Sequence, residues 1–480
     1  MIIDKSGKIA LHYAISAKDE KDLDTYKKCL NTLCDEKHIN ELSIKNIGLV
    51  LRFAIEENHD PRSLEKLFDK MDFRVKIEDG KTLLHFAVEN GNHHYLKKIL
   101  EKPGSAEFID IKDDKSRTPL HYAAFKANIH CIILLLYEEY EEKGKQANRS
   151  QKNKLREKIR DCINDKDDNG DTALLLAAQN SDILCIKELI KANADVCEKD
   201  KSLMTLMHHI ARSNNKDKNE LLDDLLEGRI KIKDITKTAE VKSYTPLQYA
   251  AYYGNIDFVK KILDKSNKFN RFEKKIKSKI IGKDKNKETS LLNLAIKGDQ
   301  GYCLVKLLEF IKADDTTLSE FFLNSAIKGK YSCLKELNDF YNDKLDYNHK
   351  CEQGMSALHY VVKHECWVNS KTDVDVIEGY RSCLDLLLRQ DKVKINSPNN
   401  QKRTPLHLAA QADNIYCLTE LLKKKEKIDI NAKDNSGCTA FHLAAKAKSK
   451  RCFNKLHKQR KLDKNAEDQD KKTAFSYANW

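Results

Sequence analysis

The sequence predicts an all-α solenoid, a row of helix-turn-helix units of roughly 33 residues joined by β-turn or hairpin loops and stacked into a curved superhelix. Three observations predict it. Eight of the fourteen cysteines recur in one phrase, Cys followed by a large apolar residue and usually a leucine or isoleucine pair, at Cys29, Cys131, Cys185, Cys303, Cys333, Cys383, Cys417 and Cys452. A second phrase stands about thirteen residues upstream of most of them, clearest as Thr118-Pro119-Leu120-His121, Thr404-Pro405-Leu406-His407 and Thr439-Ala440-Phe441-His442. Successive phrases are 31 to 36 residues apart in most places.

Each part of the unit has a physical reason. Thr at the register position caps the first helix with its hydroxyl, and Pro at the next position fills N1, where a missing N–H is harmless. Three of only six prolines, Pro119, Pro246 and Pro405, stand there. The alanine pairs that follow, such as Ala123-Ala124 and Ala409-Ala410, remove bulk so that neighbouring helices approach closely. Gly91, Gly254, Gly298 and Gly329, with Asn58 in one unit, lie nine residues past the register position, where a left-handed turn ends the first helix. The second helix carries an apolar stripe, as at Tyr95, Leu96, Ile99 and Leu100. The recurring cysteine occupies the slot that Tyr95 and Phe258 fill elsewhere, so it reads as a small buried apolar side chain. By elimination, the cysteines outside the phrase that lie at Cys34, Cys162, Cys197, Cys351, Cys366 and Cys438 become the candidates for reactive thiols.

The pattern Asp-x-x-Gly-x-Thr-Pro-Leu-His-x-Ala-Ala followed by a leucine-rich helix resembles the ankyrin repeat, with Asp434, Gly437, Thr439, His442, Ala444 and Ala445 matching nearly residue for residue. Register positions fall at Ile9, Leu49, Thr82, Thr118, Thr172, Thr205, Thr245, Thr289, Glu320, Ser356, Thr404, Thr439 and Thr473, about thirteen units over nearly the whole chain. The units at Leu49 and Glu320 are degenerate, and Thr205 is followed by Ile210 where the first Ala belongs. The resemblance implies that His12, His85, His121, His208, His359, His407 and His442 hydrogen-bond an adjacent turn rather than act in catalysis.

Spacing and charge divide the chain further. The expected organisation is repeats 1–4 over 1–137, a charged insert over 138–166, repeats 5–7 over 167–264, a basic amphipathic insert over 265–287, repeats 8–9 and half of repeat 10 over 288–363, a third insert over 364–379, and the remaining repeats over 380–480. The net charge of +13 is local: residues 143–160, 265–287 and 446–464 carry +7, +8 and +8. The second insert sets Lys274, Lys275, Lys277 and Lys279 around an apolar face, a basic patch suited to an acidic partner or an anionic membrane surface. Nucleic acid is not expected, because aromatic interleaving is limited to Phe269 and Phe272.

No phosphate-binding lysine loop, dinucleotide glycine loop, His-Glu-x-x-His helix or nucleophile elbow is present, and His364-Glu365 is followed by Val368 where a second zinc histidine would stand. The expectation is therefore a non-enzyme with no cofactor and no metal. No apolar run is long enough to span a bilayer, and cysteines without disulfide spacing favour a reducing compartment, so the cytoplasm is expected. The ends, entering and leaving within a unit, suit either unusual capping or a longer parent chain. The resemblance implies a scaffold that binds a protein partner through turn tips and a concave face. Side chains seven and eight residues past the register Thr face that concavity, which nominates Phe125, Lys126, Tyr252 and Tyr253, with Trp367 as an added anchor. Two alternatives stand beside it: the cytosolic ankyrin portion of a channel of the ankyrin-type transient receptor potential family, and an effector acting inside a host cell.

Overall fold

The computed structural model of the chain describes residues 42–58, 60–137, 149–213, 216–228, 244–267, 290–364, 374–424 and 427–478. These residues form 24 α-helices and two short 3-10 turns, with no strand among them and one isolated antiparallel bridge, Glu78 to Lys81. They fall into two compact units, Met1–Pro246 and Leu247–Trp480.

Each unit is built of helix pairs. In the first, Leu83–Glu89 pairs with His93–Leu100, Pro119–Phe125 with Ile129–Tyr137, Ala173–Gln179 with Ile183–Lys191, and Leu206–Arg212 with Lys216–Gly228. In the second, Leu291–Lys297 pairs with Gly301–Ile311, Asp315–Ile327 with Tyr331–Tyr341, Pro405–Gln411 with Ile415–Lys423, and Ala440–Lys446 with Lys450–His457. First helices pack on first helices and second helices on second helices. The alanine pairs lie in the first seam; Ala123, Ala409 and Ala444 are fully buried.

Capping sets each first helix. Thr82, Thr118, Thr205, Ser356, Thr404 and Thr439 form capping boxes in which the hydroxyl accepts the N3 backbone N–H and the N3 histidine accepts the N–H of the cap. Replacing such a cap by Ala costs about 1 kcal/mol. The structure moves three register positions. The cap near Thr289 is Ser290, which places Cys303 thirteen residues past its cap, the spacing of Cys131 past Thr118. The degenerate units start six residues earlier than expected, at Ser43 and Asp314, because each has a longer first helix with its own side-chain cap.

The same histidines then join repeat to repeat. Nε2 of His85 lies 3.0 Å from the Arg117 carbonyl, that of His121 3.1 Å from the Asp171 carbonyl, and that of His208 3.1 Å from the Tyr244 carbonyl. His359, His407 and His442 repeat the bond to the carbonyls of Arg403, Cys438 and Lys472. In all six, the acceptor precedes the register residue of the next repeat. A carbonyl only accepts, so Nε2 carries the proton and Nδ1 is left to accept from the cap. Burial pushes the imidazoles of His85, His208 and His359 down to about 4, keeping them neutral. His12 lies outside the described residues.

In most repeats the first helix ends on a left-handed residue of varied type, whereas Leu206–Arg212 and Ala357–Lys363 run into extended residues, Ser213 and His364. The ninth residue past the cap has positive φ at Gly91, Ala127, Ser181, Gly254, Asp413 and Lys448, and at Asp299 once Ser290 is taken as the cap. Gly298 is thereby corrected: it is right-handed, with φ −80°. Glycine is required there for a different reason, since a Cβ would stand 1.8 Å from the Tyr252 carbonyl oxygen.

The second helices carry the cysteine slot. Cys131, Cys185, Cys303, Cys333, Cys383, Cys417 and Cys452 are at most 2% exposed. The N-cap side chain accepts the cysteine's own N–H, as Asn128 does from Cys131 and Asn414 from Cys417, both at 3.1 Å. Cys29 lies outside the described residues.

The stretch over 138–166 includes a helix, Arg149–Cys162, whose Ile159 is buried and whose Lys158 pairs with Asp110 at 2.8 Å. The helix Val374–Arg389 begins within the stretch 364–379.

Two outcomes are expected. Because the neutral histidines take up fewer protons than the unfolded chain, stability falls as pH drops from about 6.5 toward 4, by about 1.4 kcal/mol per pH unit for each depressed imidazole. Urea unfolding of His359→Gln should show a shallower pH slope in that window and lower stability at pH 7; an unchanged slope would contradict the assigned protonation. Ala127→Gly should stabilise the chain by about 1 kcal/mol, since it removes a Cβ from a left-handed residue, and Gly91→Ala should destabilise it, both read from the same unfolding curves.

Candidate protein-binding surface

Several turn tips are built around an aspartate five positions before the cap, with Asn399 in the same place before Thr404. One Asp113 carboxylate oxygen accepts the N–H of Lys115 and Arg117; Asp167 does the same for Asn169 and Asp171, Asp434 for Ser436 and Cys438, and Asp468 for Asp470 and Lys472. The other oxygen turns to a neighbour. Arg117 donates to Asp167 at 3.0 Å and Arg403 to Asp434 at 3.1 Å, both between repeats. Asp468 receives Lys446 at 3.0 Å and the Tyr477 hydroxyl at 2.8 Å. Although burial opposes it, those donors hold the Asp468 carboxyl well below the usual range. Backbone bonds tie adjacent tips, as Asp114 N–H to Asp79 O, Asp168 to Lys115 and Asn435 to Gln401. The recurring Thr, His and Asp side chains are thus occupied in holding the frame.

What remains outward is the row at the ends of the first helices. Phe125 is 46% exposed, with the Arg117 guanidinium 5.5 Å from its ring, and Lys126 beside it is exposed. The Asn180 side chain of the next repeat donates to the Phe125 carbonyl, which fixes the helix end. Sister positions of Phe125 hold Glu89, Gln179, Arg212, Gln411 and Lys446, with Tyr252 as the other aromatic, so an outward phenyl ring departs from the usual polar residue. In the second unit, Tyr253 is exposed and Tyr252 half-buried, their rings edge to face at 5.0 Å, while Tyr249 stacks on Tyr253 at 6.0 Å. Phe125 and Lys126 are brought together in one unit, and Tyr252 and Tyr253 in the other. Trp367 and the basic patch Lys274, Lys275, Lys277 and Lys279 lie outside the described residues.

The thiols outside the repeated phrase divide on inspection. Burial pushes Cys162 up to about 12, and also raises buried Cys438 although the Lys446 ammonium lies 3.0 Å from its sulfur. Those two candidates for reactivity are corrected. Cys197 is exposed. Cys351 stands five residues before Ser356, where sister repeats carry the turn carboxylate. Partial burial disfavours its thiolate, but the Tyr360 hydroxyl at 3.3 Å and backbone N–H groups of the turn outweigh this and lower its pKa. Cys34 and Cys366 lie outside the described residues.

Counting from each cap also exposes two substitutions that the sequence reading missed. Asp171 stands where Arg117 and Arg403 supply the arginine, so it faces Asp167 and Asp200 rather than pairing with an acid; burial first, and those two carboxylates after it, push it up to about 6. Lys218 stands in the cysteine slot, thirteen residues past Thr205, and is only 2% exposed. Among the described residues no group of His, Cys, Asp and Glu has the geometry of a metal site, and no helix is long and apolar enough to cross a membrane.

Comparison with known proteins agrees with this frame. The family profile described as ankyrin repeats in three copies matches residues 51–149 and 374–478, and the single ankyrin repeat profile matches residues 169–201 and 242–271. The chain is similar to the human transient receptor potential cation channel subfamily A member 1, 25% identical over 223 residues, which cover 43% of the chain and 20% of that protein. It is similar to human inversin, 27% identical over 181 residues, 38% of the chain and 14% of inversin. A probable E3 ubiquitin-protein ligase, XBOS31, of Oryza sativa subsp. japonica is 35% identical over 63 residues, 13% of the chain and 14% of that protein. The chain therefore spans a fifth or less of the length of these relatives. Repeated capping boxes, histidine bonds between repeats and profile matches over more than half of the residues converge: the chain belongs to the ankyrin-repeat family.

Proposed function

We propose that the chain is a non-catalytic scaffold that binds a protein partner through the ends of its first helices and its turn tips. The observation that carries this reading is the outward Phe125 ring, set on a fixed helix end beside Arg117 and Lys126 while the recurring polar side chains around it are engaged within the frame. An exposed aromatic side chain on a preorganised backbone has the character of a binding hot spot, since little entropy is lost when it is covered. Tyr252 and Tyr253 offer a second such surface on the other unit. The partner is expected to be acidic, on account of the nearby guanidinium and ammonium groups and the basic segments.

A second reading has one observation in its favour. Similarity to a cation channel over 223 residues supports a role as the cytosolic ankyrin portion of a larger membrane protein. The binding surface would be the same, and the partner would be part of that assembly.

Affinity capture from cell extract with the full chain should recover a discrete protein. Phe125→Ala, and separately the pair Tyr252→Ala and Tyr253→Ala, should each weaken capture by at least about fivefold, the effect of losing roughly 1 kcal/mol at a hot spot. Circular dichroism should show an unchanged helical spectrum. Recovery of generic polyanions alone, with no effect of either variant, would defeat the reading.

A further inference from the structure

Among the described residues, Lys218 puts a charge in a position that its sister repeats fill with uncharged groups. Lys218 occupies the slot of Cys131, Cys185 and Cys417 at the third position of its second helix, and it is nearly as buried as they are. Its ammonium lies 3.4 Å from the Ala178 carbonyl, and among the described residues no carboxylate is bonded to it. Burial alone lowers its pKa to about 8, so its charge is held at a cost.

Beside it stands a second group without an outlet. His209 is 8% exposed, and its Nε2 has no hydrogen-bond partner. The charge of Lys218 is felt at this ring, which burial keeps neutral with a pKa of about 4. A neutral imidazole with Nε2 protonated presents one unused donor. Leaving such a donor buried and unmet is destabilising, a loss that a ligand acceptor would recover.

Both groups border one cavity of about 640 Å³, which also meets Gln179, Ser181, Asp200 and Arg212. That size lies within the roughly 300–1,000 Å³ of small-ligand sites. The cavity opens among the ends of two first helices, Ala173–Gln179 and Leu206–Arg212, on the same row as Phe125 in that unit. The Lys218 ammonium, with no bonded carboxylate among the described residues, calls for one negative charge, which favours a carboxylate over a phosphate dianion. Asp200 and the Gln179 side chain add acceptors for N–H groups flanking that charge.

We propose that this cavity receives the carboxylate of an acidic side chain carried by a peptide segment of the partner, with the Lys218 ammonium as its ion partner and the His209 Nε2–H as a second donor. The inference rests on the protein-binding reading above and gives the partner's segment a chemistry. Asp200, which also lines the cavity, rejects a second negative charge.

The test uses the full chain and reads Lys218 directly. Competitive acetylation across a pH series, followed by mass spectrometry, gives the reactivity and apparent pKa of the Lys218 amine. An N-acetylated, C-amidated Gly-Glu-Gly peptide should raise that pKa by about one unit, about tenfold protection near neutral pH. The matching Gly-Gln-Gly peptide should have no effect, and His209→Phe should weaken the protection severalfold while Lys218 remains in place. Equal protection by both peptides, protection by inorganic phosphate but not by the Glu peptide, or no protection at all would each overturn the proposal. Its failure is separable from that of the scaffold reading. Protected Lys218 with no protein captured from extract would leave the pocket and remove the scaffold; a captured partner sensitive to Phe125→Ala with unprotected Lys218 would do the reverse.

Discussion

The histidine bond between repeats is the interaction on which the rest depends. Each imidazole accepts the N–H of its own helix cap through Nδ1 and donates Nε2–H to a carbonyl at the start of the next repeat, so one neutral ring fixes a helix start and the distance to its neighbour at once. Small repeats cannot bury an apolar face alone, and stability comes from the interfaces between them. A buried bond that recurs at six of the interfaces sets the register in which the alanine seams and cysteine slots meet there. The tips add a second thread, where aspartates bind their own turn and an arginine or lysine from the preceding repeat.

Against so regular a frame, departures carry the information. Asp171 replaces an arginine, Cys351 replaces a turn carboxylate, Lys218 replaces a cysteine and Phe125 stands outward where polar residues are usual. Two of these, Asp171 and Lys218, put charge where the frame does not need it, and both adjoin the cavity between Ala173–Gln179 and Leu206–Arg212, Lys218 directly and Asp171 through the Gln179 amide at 2.8 Å. A local rule broken without compensation in the folded chain is where a ligand is expected to supply the missing partner.

Much of the fold is legible in the residues. Thr118, Pro119 and His121 announce a capped helix start because each type has a separate reason to be there, and the apolar spacing of Tyr95, Leu96, Ile99 and Leu100 announces the stripe that the structure buries. The misread positions have a common cause. Thr289 and Ser290 are both good caps, and only the turn that follows selects the second; Leu49 and Glu320 lie inside helices whose true caps, Ser43 and Asp314, stand six residues upstream without a Thr-Pro signal. The candidate site was legible only in part. Position along the helix predicts that Phe125 and Tyr253 face outward, but not that Arg117 lies over one ring or that Tyr249 stacks on the other.

The sequence by itself determined the repeat, the helix pairs, the caps and the neutral role of the histidines, because these follow from local hydrogen bonding and from a periodicity that many units state together. Only the tertiary structure decided which exceptions matter. The lowered pKa of the Cys351 thiol, the lysine contact of Cys438 and the carbonyl contact of Lys218 depend on groups 8 to 40 residues away along the chain, brought within bonding distance by the fold. The cysteine slot shows the division plainly: the residues name the position, and the packing around it turns a cysteine there into inert core and a lysine into a buried charge beside a cavity.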